Sequence, residues 1–274
     1  MNIQTITKIL TEAGIEEQEA NREVELLLEK VCNISPKDKI LGKEPDKEQL
    51  RILEEKARLR ADTRLPVQYI IGEAYFMGEF FKVTPDVLIP RDETEILVGK
   101  AIEIIKTNGL QKVLDIGTGS GCIACTIANR TSATVLGIDI SSDALRVALD
   151  NVTKLGINNR AVFRKSDLFE KIRKDEKFDM IISNPPYIPI GTKLEPEVLH
   201  EPQIALFAEE NGLSVYKRII NQAPNYLSKG GWLIFELGMD ESKLVKTLME
   251  EYYTEINIIK DLSGIDRVIS GRLE

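Results

Sequence analysis

Val113-Leu114-Asp115-Ile116-Gly117-Thr118-Gly119-Ser120-Gly121 decides the fold. An apolar run with one carboxylate leads into three glycines at alternate positions, and the small, apolar stretch from Cys122 to Ala128 follows. A strand that feeds a glycine turn and then a helix opens a doubly wound α/β sheet, in which ligands bind outside the carboxyl ends of parallel strands. The alternation continues downstream. Strands are expected at 112–116, 134–140, 161–165, 178–183, 231–236, 254–260 and 267–270, and helices at 121–129, 142–155, 212–227 and 242–251. Only the short connection from Asp261 to Asp266 separates the last two strands. It is too short for a helical crossover, which makes that pair an antiparallel hairpin. The expectation is a mostly parallel, Rossmann-like sheet of seven strands with helices on both faces.

Upstream the pattern is different. From the start to about Thr63 the apolar residues recur at helical spacing, with Ile3, Ile6, Ile9 and Leu10 on one stripe and Val24, Leu26, Leu27, Leu28 and Val31 on another. Three or four helices are expected. Ser35-Pro36 reads as an N-cap and first helical position, and Asp46 with Gln49 as a capping box that opens a helix through Leu59. Leu65-Pro66 closes this small helical domain. Tyr69 to Ile71, Tyr75 to Met77 and Phe80 to Val83 then read as extended, with a β-hairpin turn near Gly78-Glu79, and a helix begins near Thr94 and runs to about Lys106. The expected organisation is a helical recognition domain at 1–65, a hairpin linker at 66–90 and an α/β domain at 91–274.

Composition narrows the class. The chain has 274 residues, 43% of them apolar, no run near the roughly 20 apolar residues of a membrane span, and a start, Met1-Asn2-Ile3-Gln4-Thr5, unlike a secretory signal. A cytoplasmic monomer is expected. The three cysteines, Cys32, Cys122 and Cys125, suit a reducing compartment, and the Cys122/Cys125 pair reads as close packing against the sheet rather than a redox centre. One histidine, His200, gives no metal spacing and reads as a loop residue. The net charge of −8 disfavours a nucleic-acid partner. Arg51, Lys56, Arg58, Arg60 and Arg64 could form a local basic patch, but interleaved with Glu54 and Glu55 they read first as a solvated helix face.

Two motifs point to chemistry. A nicotinamide fingerprint would place its third glycine five residues after Gly117, where Cys122 stands; here it comes four after, at Gly121. GxGxG behind Asp115 suits S-adenosylmethionine, with the loop backbone of Gly117, Thr118, Gly119, Ser120 and Gly121 against the methionine and ribose. Asp139, ending the second strand, can accept from both ribose hydroxyls, and Asp167 with Leu168 is suitably placed for the adenine. Asp167 reads equally well as a turn or helix cap. The second motif, Asn184-Pro185-Pro186-Tyr187, directly follows the apolar Met180-Ile181-Ile182. An amide or exocyclic amine has a delocalised lone pair and must be held and polarised before it attacks a sulfonium methyl. The Asn184 side-chain oxygen and the Pro185 carbonyl can each accept one hydrogen of the target NH2, Pro186 adds stiffness, and Tyr187 offers a face for stacking.

With these motifs in hand, nearly the whole chain resembles the peptide-chain release factor glutamine N5-methyltransferases. Pro66 to Gly72, Val87 to Glu95, the glycine loop, Asn184 to Tyr187, Glu201-Pro202 and Phe235 to Gly238 occur in that family's order. The resemblance implies a class I S-adenosylmethionine-dependent methyltransferase domain behind a helical domain and a hairpin. It implies methylation of the glutamine in the Gly-Gly-Gln motif of class I release factors, with S-adenosylhomocysteine as product. It further implies that Asn184 and Pro185 bind the glutamine amide, that Pro186 and Tyr187 shape its slot, and that Gly117 to Gly121, Asp139, Leu168 and Asn184 line the cofactor site. Glutamine methylation of a large-subunit ribosomal protein is the alternative, ahead of adenine N6 or guanine N2 methylation. Asp92 stands where many members have proline, and Leu168 where some have tryptophan, which would weaken stacking on the adenine.

Overall fold

The computed structural model describes residues 2–274 and divides into two compact units. The first runs to Glu73 and takes in Leu194–His200; the second comprises Ala74–Lys193 and Glu201–Glu274.

The first unit holds five helices: α1 (Ile3–Glu12), α2 (Glu17–Cys32), α3 (Pro36–Ile40), α4 (Lys47–Thr63) and α5 (Val67–Ile71). Both expected caps form. The Ser35 hydroxyl accepts from Asp38 N at the start of α3, and Asp46 and Gln49 make the reciprocal box at the start of α4. Ile6, Leu10, Val24, Leu27, Leu28, Leu53 and Ala57 are buried together. The stretch 69–71, expected as extended, is the end of α5. Pro66 starts that turn, and Gly72 ends it in the left-handed region at φ 84°.

Arg60 overturns the reading of its cluster as a solvated face. Arg51 and Arg58 do pair with glutamates of their own exposed helix face, but Arg60 is 1% exposed. Its guanidinium donates to both carboxylate oxygens of Glu23 at 3.0 and 3.1 Å and to Glu197 at 2.9 Å. Arg64 also pairs with Glu197, at 2.5 Å, and His200 Nε2 lies 2.8 Å from the carbonyl of Thr63. Residues 194–200 are therefore tied to the end of α4 by ionic and polar contacts.

From Ala74 the second unit begins in a hairpin, β1 (Glu73–Phe76) and β2 (Glu79–Lys82), whose turn is Met77-Gly78 rather than the expected Gly78-Glu79. Both turn residues have positive φ, 51° and 90°, the tight-turn geometry that matches strand twist. Then follow α6 (Asp92–Asn108), β3 (Lys112–Ile116), α7 (Cys122–Arg130), β4 (Thr134–Asp139), α8 (Ser142–Lys154), β5 (Ala161–Lys165), β6 (Phe178–Ser183), β7 (Ile188–Pro189), α9 (Gln203–Leu206), β8 (Phe207–Ala208), α10 (Ser214–Gln222), β9 (Leu227–Glu236), α11 (Ser242–Met249), β10 (Tyr253–Lys260) and β11 (Asp266–Leu273). Helix α6 starts at Asp92, ahead of the expected Thr94, and its first turn holds Asp92, Glu93 and Glu95, which favour a helix N-terminus. The helix expected at 212–227 stops at Gln222. Pro224 has no N–H to continue it, a 3-10 turn covers Ala223–Asn225, and β9 starts earlier than expected, at Leu227.

The main sheet has seven strands in the order β10-β11-β9-β6-β3-β4-β5. β11 alone runs against the direction of the other six strands and pairs antiparallel with both β10 and β9, so the expected terminal hairpin is present. One face packs Val98, Ala101, Ile123, Ile127, Val135 and Ile182 under α6 and α7; the other packs Leu114, Ile181, Tyr216, Ile219, Leu233 and Phe235 under α10 and α11.

Replacing Arg60 with alanine leaves Glu23 buried without its cation, a change that destabilises by ~3–5 kcal/mol in comparable sites. Urea unfolding of Arg60→Ala should show a loss of that order. The double variant Arg60→Met, Glu23→Met should recover most of it, and an unchanged Arg60→Ala would contradict the role of the pair.

Candidate active site

Strands β3 and β6 are adjacent and parallel, with Ile116 opposite Ser183. The Ser183 hydroxyl donates to the Ile116 carbonyl at 2.7 Å and closes the pair at its carboxyl end. The glycine loop and Asn184 therefore leave the sheet side by side. Gly117 and Thr118 both donate from their backbone N–H groups to the Ile138 carbonyl at 2.9 Å, so the loop folds over the end of β4. Gly117 and Gly119 have φ of 73° and 53°, which other residues rarely adopt. Gly137 lies beneath: a Cβ there would come within 2.6 Å of the Phe163 ring and 2.7 Å of Thr118 Oγ1.

A cavity of about 380 Å³ opens at this end of the sheet. It brings together Gly117, Gly119, Asp139, Asp167, Leu168, Asn184, Pro185 and Pro186 of the residues expected from the sequence. Thr118, Ser120, Gly121 and Tyr187 are not on its wall. Thr118 donates to buried Asp115 at 2.6 Å, and the Ser120 carbonyl accepts from Asn151 at 2.8 Å. Gly121 lies against Ala148 and Phe163. Those three hold the turn. Tyr187 packs behind the wall, near Gly238.

Asp139 is already partly engaged. Its oxygens accept from Gly119 N and Ser141 N, each at 2.9 Å, and a carboxylate keeps further lone pairs for a diol. Burial raises its pKa, opposed by these backbone hydrogen bonds. Asp167 pairs with Arg218 at 2.9 Å, and Arg218 also lines the cavity. Leu168 takes the left-handed region, at φ 44°, held by the Ser166 hydroxyl donating to its carbonyl at 2.6 Å. Backbone held in that region by a bulky residue is a mark of functional sites.

Reading the sequence assigned no role to Glu236 or Thr94. Glu236 ends β9, is 2% exposed, and its carboxyl is pushed up to about 7 by burial, against hydrogen bonds from Thr94 and Asn184. Thr94 Oγ1 donates to Glu236 Oε2 at 2.6 Å and accepts from Asn184 Nδ2 at 3.2 Å. Glu201 was also without a role; it accepts from Ile89 N at 3.0 Å and from Arg91, joining two stretches that both reach the cavity. A carboxylate next to a strand end was the available signal for Glu236, but strand pairing across a long sequence separation is needed to bring it to Asn184. Burial pushes the Cys122 thiol up to about 12, which leaves no thiolate near neutral pH.

Whether the residues fit S-adenosylmethionine can be judged from this wall. It combines close backbone approach at Gly117 and Gly119, a carboxylate at Asp139 and apolar surface at Ile138, Ile140 and Leu168, the donor set that a nucleoside with an amino-acid tail requires. They fit.

Burial raises Asp115, Glu236 and Glu241 to about 7 from ordinary values of 3.8, 4.5 and 4.5. Over that interval the folded chain binds more protons than the unfolded one, so stability falls as pH rises and levels off above about 7. Glu176, held at about 2 by Arg164, acts oppositely but only below its ordinary 4.5. Calorimetry between about pH 5 and about pH 8 should show a falling Tm that Asp115→Asn flattens, at ~1.4 kcal/mol for each pKa unit removed. A Tm that rises across this window would contradict the assignment.

Residues 108–263 match the family described as a methyltransferase domain, and residues 3–72 match the PrmC N-terminal domain. The chain is 44% identical over 235 residues to the release factor glutamine methyltransferase of Fusobacterium nucleatum, covering 84% of this chain and 65% of that relative's length. It is 36% identical over 269 residues to the release factor glutamine methyltransferase of Caulobacter vibrioides, covering 96% of this chain and 92% of the relative. Among solved structures, the 16S rRNA N2 G1207 methyltransferase of Thermus thermophilus, in complex with AdoMet and guanosine, superposes with a TM-score of 0.55 at 19% identity over 74% of this chain and 50% of that one. A methyltransferase from Pyrococcus furiosus gives 0.52 at 19% identity over 82% of this chain and 97% of that one. These structures share the class I methyltransferase fold. Aligned almost end to end with the Caulobacter sequence, the chain belongs to the release factor glutamine methyltransferase family.

Proposed function

We propose that this protein transfers a methyl group from S-adenosylmethionine to the side-chain amide nitrogen of the glutamine in the Gly-Gly-Gln motif of class I release factors. The observation that carries the reading is the convergence of Gly117, Gly119, Asp139, Asn184 and Pro185 on one cavity, in a chain of this family. Gly117, Gly119 and Asp139 would hold the methionine and ribose portions, and Asp167 and Leu168 the adenine. Bound there, S-adenosylmethionine supplies a sulfonium methyl and is released as S-adenosylhomocysteine.

What the chain's own groups do follows from the chemistry of a primary amide. Its nitrogen is planar because the lone pair is shared with the carbonyl. The Asn184 side-chain oxygen accepts one N–H and the Pro185 carbonyl the other, which draws electron density onto the nitrogen and aims it. As the N–C bond forms and the S–C bond breaks, the nitrogen releases one proton to solvent. A strong base is unnecessary, because positioning and hydrogen bonding lower the barrier. Pro185 and Pro186 have no N–H to compete for these acceptors. The net charge of −8 and membership of a family of protein methyltransferases support a protein substrate over a nucleic acid, and we propose that the enzyme acts in the cytoplasm.

Labelled methyl should pass to purified release factor and not to its variant with alanine in place of the motif glutamine, to ribosomal protein or to RNA. Label on a ribosomal protein alone would change the substrate, and label on RNA would change the nitrogen. Asn184→Ala should lower kcat by roughly a hundredfold to a thousandfold, the cost of removing one comparable transition-state hydrogen-bonding group. Its affinity for S-adenosylhomocysteine should stay within about threefold; an equal loss of both would contradict the role given to Asn184.

A further inference from the structure

An asparagine amide has two ends that differ only in hydrogen bonding, and only one of them serves this reaction. The oxygen must face the substrate, because an NH2 turned outward would meet the substrate's own NH2 as donor against donor. Something in the protein must therefore choose the orientation.

The structure shows what does. Glu236 is 2% exposed and Thr94 3%, and their side chains meet at 2.6 Å. An ionised carboxylate only accepts, so the Thr94 hydroxyl gives its hydrogen to Glu236 Oε2. With its hydrogen committed, Thr94 Oγ1 can only accept, and the group 3.2 Å away on Asn184 must be the NH2. Resting on the reading of Asn184 above, we propose that Glu236 and Thr94 are positioning residues, which lock the Asn184 amide with its nitrogen inward and its oxygen toward the cavity. Each comes from a different element: Thr94 from the first turn of α6, Glu236 from the end of β9 and Asn184 from the end of β6. The backbone of Glu236 is fixed as well, since its carbonyl accepts from the Tyr216 hydroxyl at 2.7 Å.

The lock has a direction that depends on one proton. When Glu236 is protonated it can donate to Thr94, and Thr94 can then donate to the Asn184 oxygen, which turns the NH2 toward the cavity. Burial puts this proton change at about 7; Thr94, Asn184 and Arg267 of β11 favour the ionised form, and Glu93 of α6 the protonated one. Tyr187, Tyr216 of α10 and Cys122 of α7 also feel the Glu236 charge, but burial raises all three far above neutrality, so they do not titrate with it. The kcat should therefore fall as pH falls through about 7.

The test uses the full chain with release factor as substrate. Thr94→Val keeps the shape and removes the hydroxyl, and should lower kcat roughly tenfold to a hundredfold, the scale of a misplaced reacting group. Affinity for S-adenosylhomocysteine by calorimetry should be unchanged, since it does not need the orientation of Asn184, whereas the Tm should fall because buried Glu236 loses its Thr94 donor. Thr94→Ser should restore kcat to within about threefold of the parent, which a purely structural role for the methyl-bearing side chain would not give. The acid limb near neutrality should vanish in Glu236→Gln, which cannot ionise. Thr94→Val at the parent kcat, in a preparation where Asn184→Ala is impaired, overturns the lock and leaves the methyl-transfer reading standing. An acid limb that persists in Glu236→Gln overturns it as well. Asn184→Ala at the parent rate fails the reading of Asn184 itself, and the lock with it.

Discussion

The side-by-side parallel pairing of β3 and β6, with Ile116 opposite Ser183, is the constraint from which the rest of this site follows. Two motifs far apart in the chain become neighbours because their strands end at the same level. The strands next to them add the remaining parts: β4, beside β3, ends in Asp139, and β9, beside β6, ends in Glu236. A slip of one residue between β3 and β6 would turn each side chain of the moved strand to the other face and separate Asn184 from the glycine loop. Polar contacts at the strand ends fit this register, the Ser183 hydroxyl donating to the Ile116 carbonyl. Val113, Leu114, Met180, Ile181 and Ile182 are buried alternately on two covered faces, and a slip of β3 would also carry buried Asp115 away from the Thr118 hydroxyl that donates to it.

The polar end of the sheet carries a stability cost that the apolar faces offset. Asp115 is fully buried with one oxygen lacking a partner, and Glu236 and Asp139 sit in surroundings that disfavour their charge. A fold selected for stability alone would replace such groups, and their persistence at one end of the sheet is the usual mark of a site built for binding. The left-handed Leu168 belongs to the same pattern. The ionic contacts of Arg60 are a different case. They join α2, α4 and the segment 194–200 within the helical unit, where they organise the chain.

Where periodicity was strong, the sequence was legible. The strands at 112–116, 161–165 and 178–183 have the bounds read from their apolar runs, and the caps at Ser35 and Asp46 form because each satisfies helix N–H groups locally. Local patterns misled where a short-range constraint intervened: Pro66 and Gly72 bound a helical turn in a stretch rich in strand formers, and Pro224 ends α10. Asn184, Asp139 and the first two glycines, singled out by residue type, do meet on the wall of one cavity. Thr118, Ser120 and Gly121 share the motif but hold the turn from behind. Arg60 was misread because a helix face with alternating charge looks the same whether water or a buried glutamate lies opposite. Glu236 and Thr94 lay beyond reach, since what matters about them is a contact across a long stretch of chain.

The central claim is that this site methylates one glutamine nitrogen held by Asn184. Fragment mass spectrometry of release factor, incubated with the protein and S-adenosylmethionine, tests it most directly, because it reads both the residue and the atom modified. A single added methyl on the side-chain nitrogen of the Gly-Gly-Gln glutamine, absent with Asn184→Ala, is the predicted result. A methyl on any other residue, or one that persists with Asn184→Ala, would contradict the account.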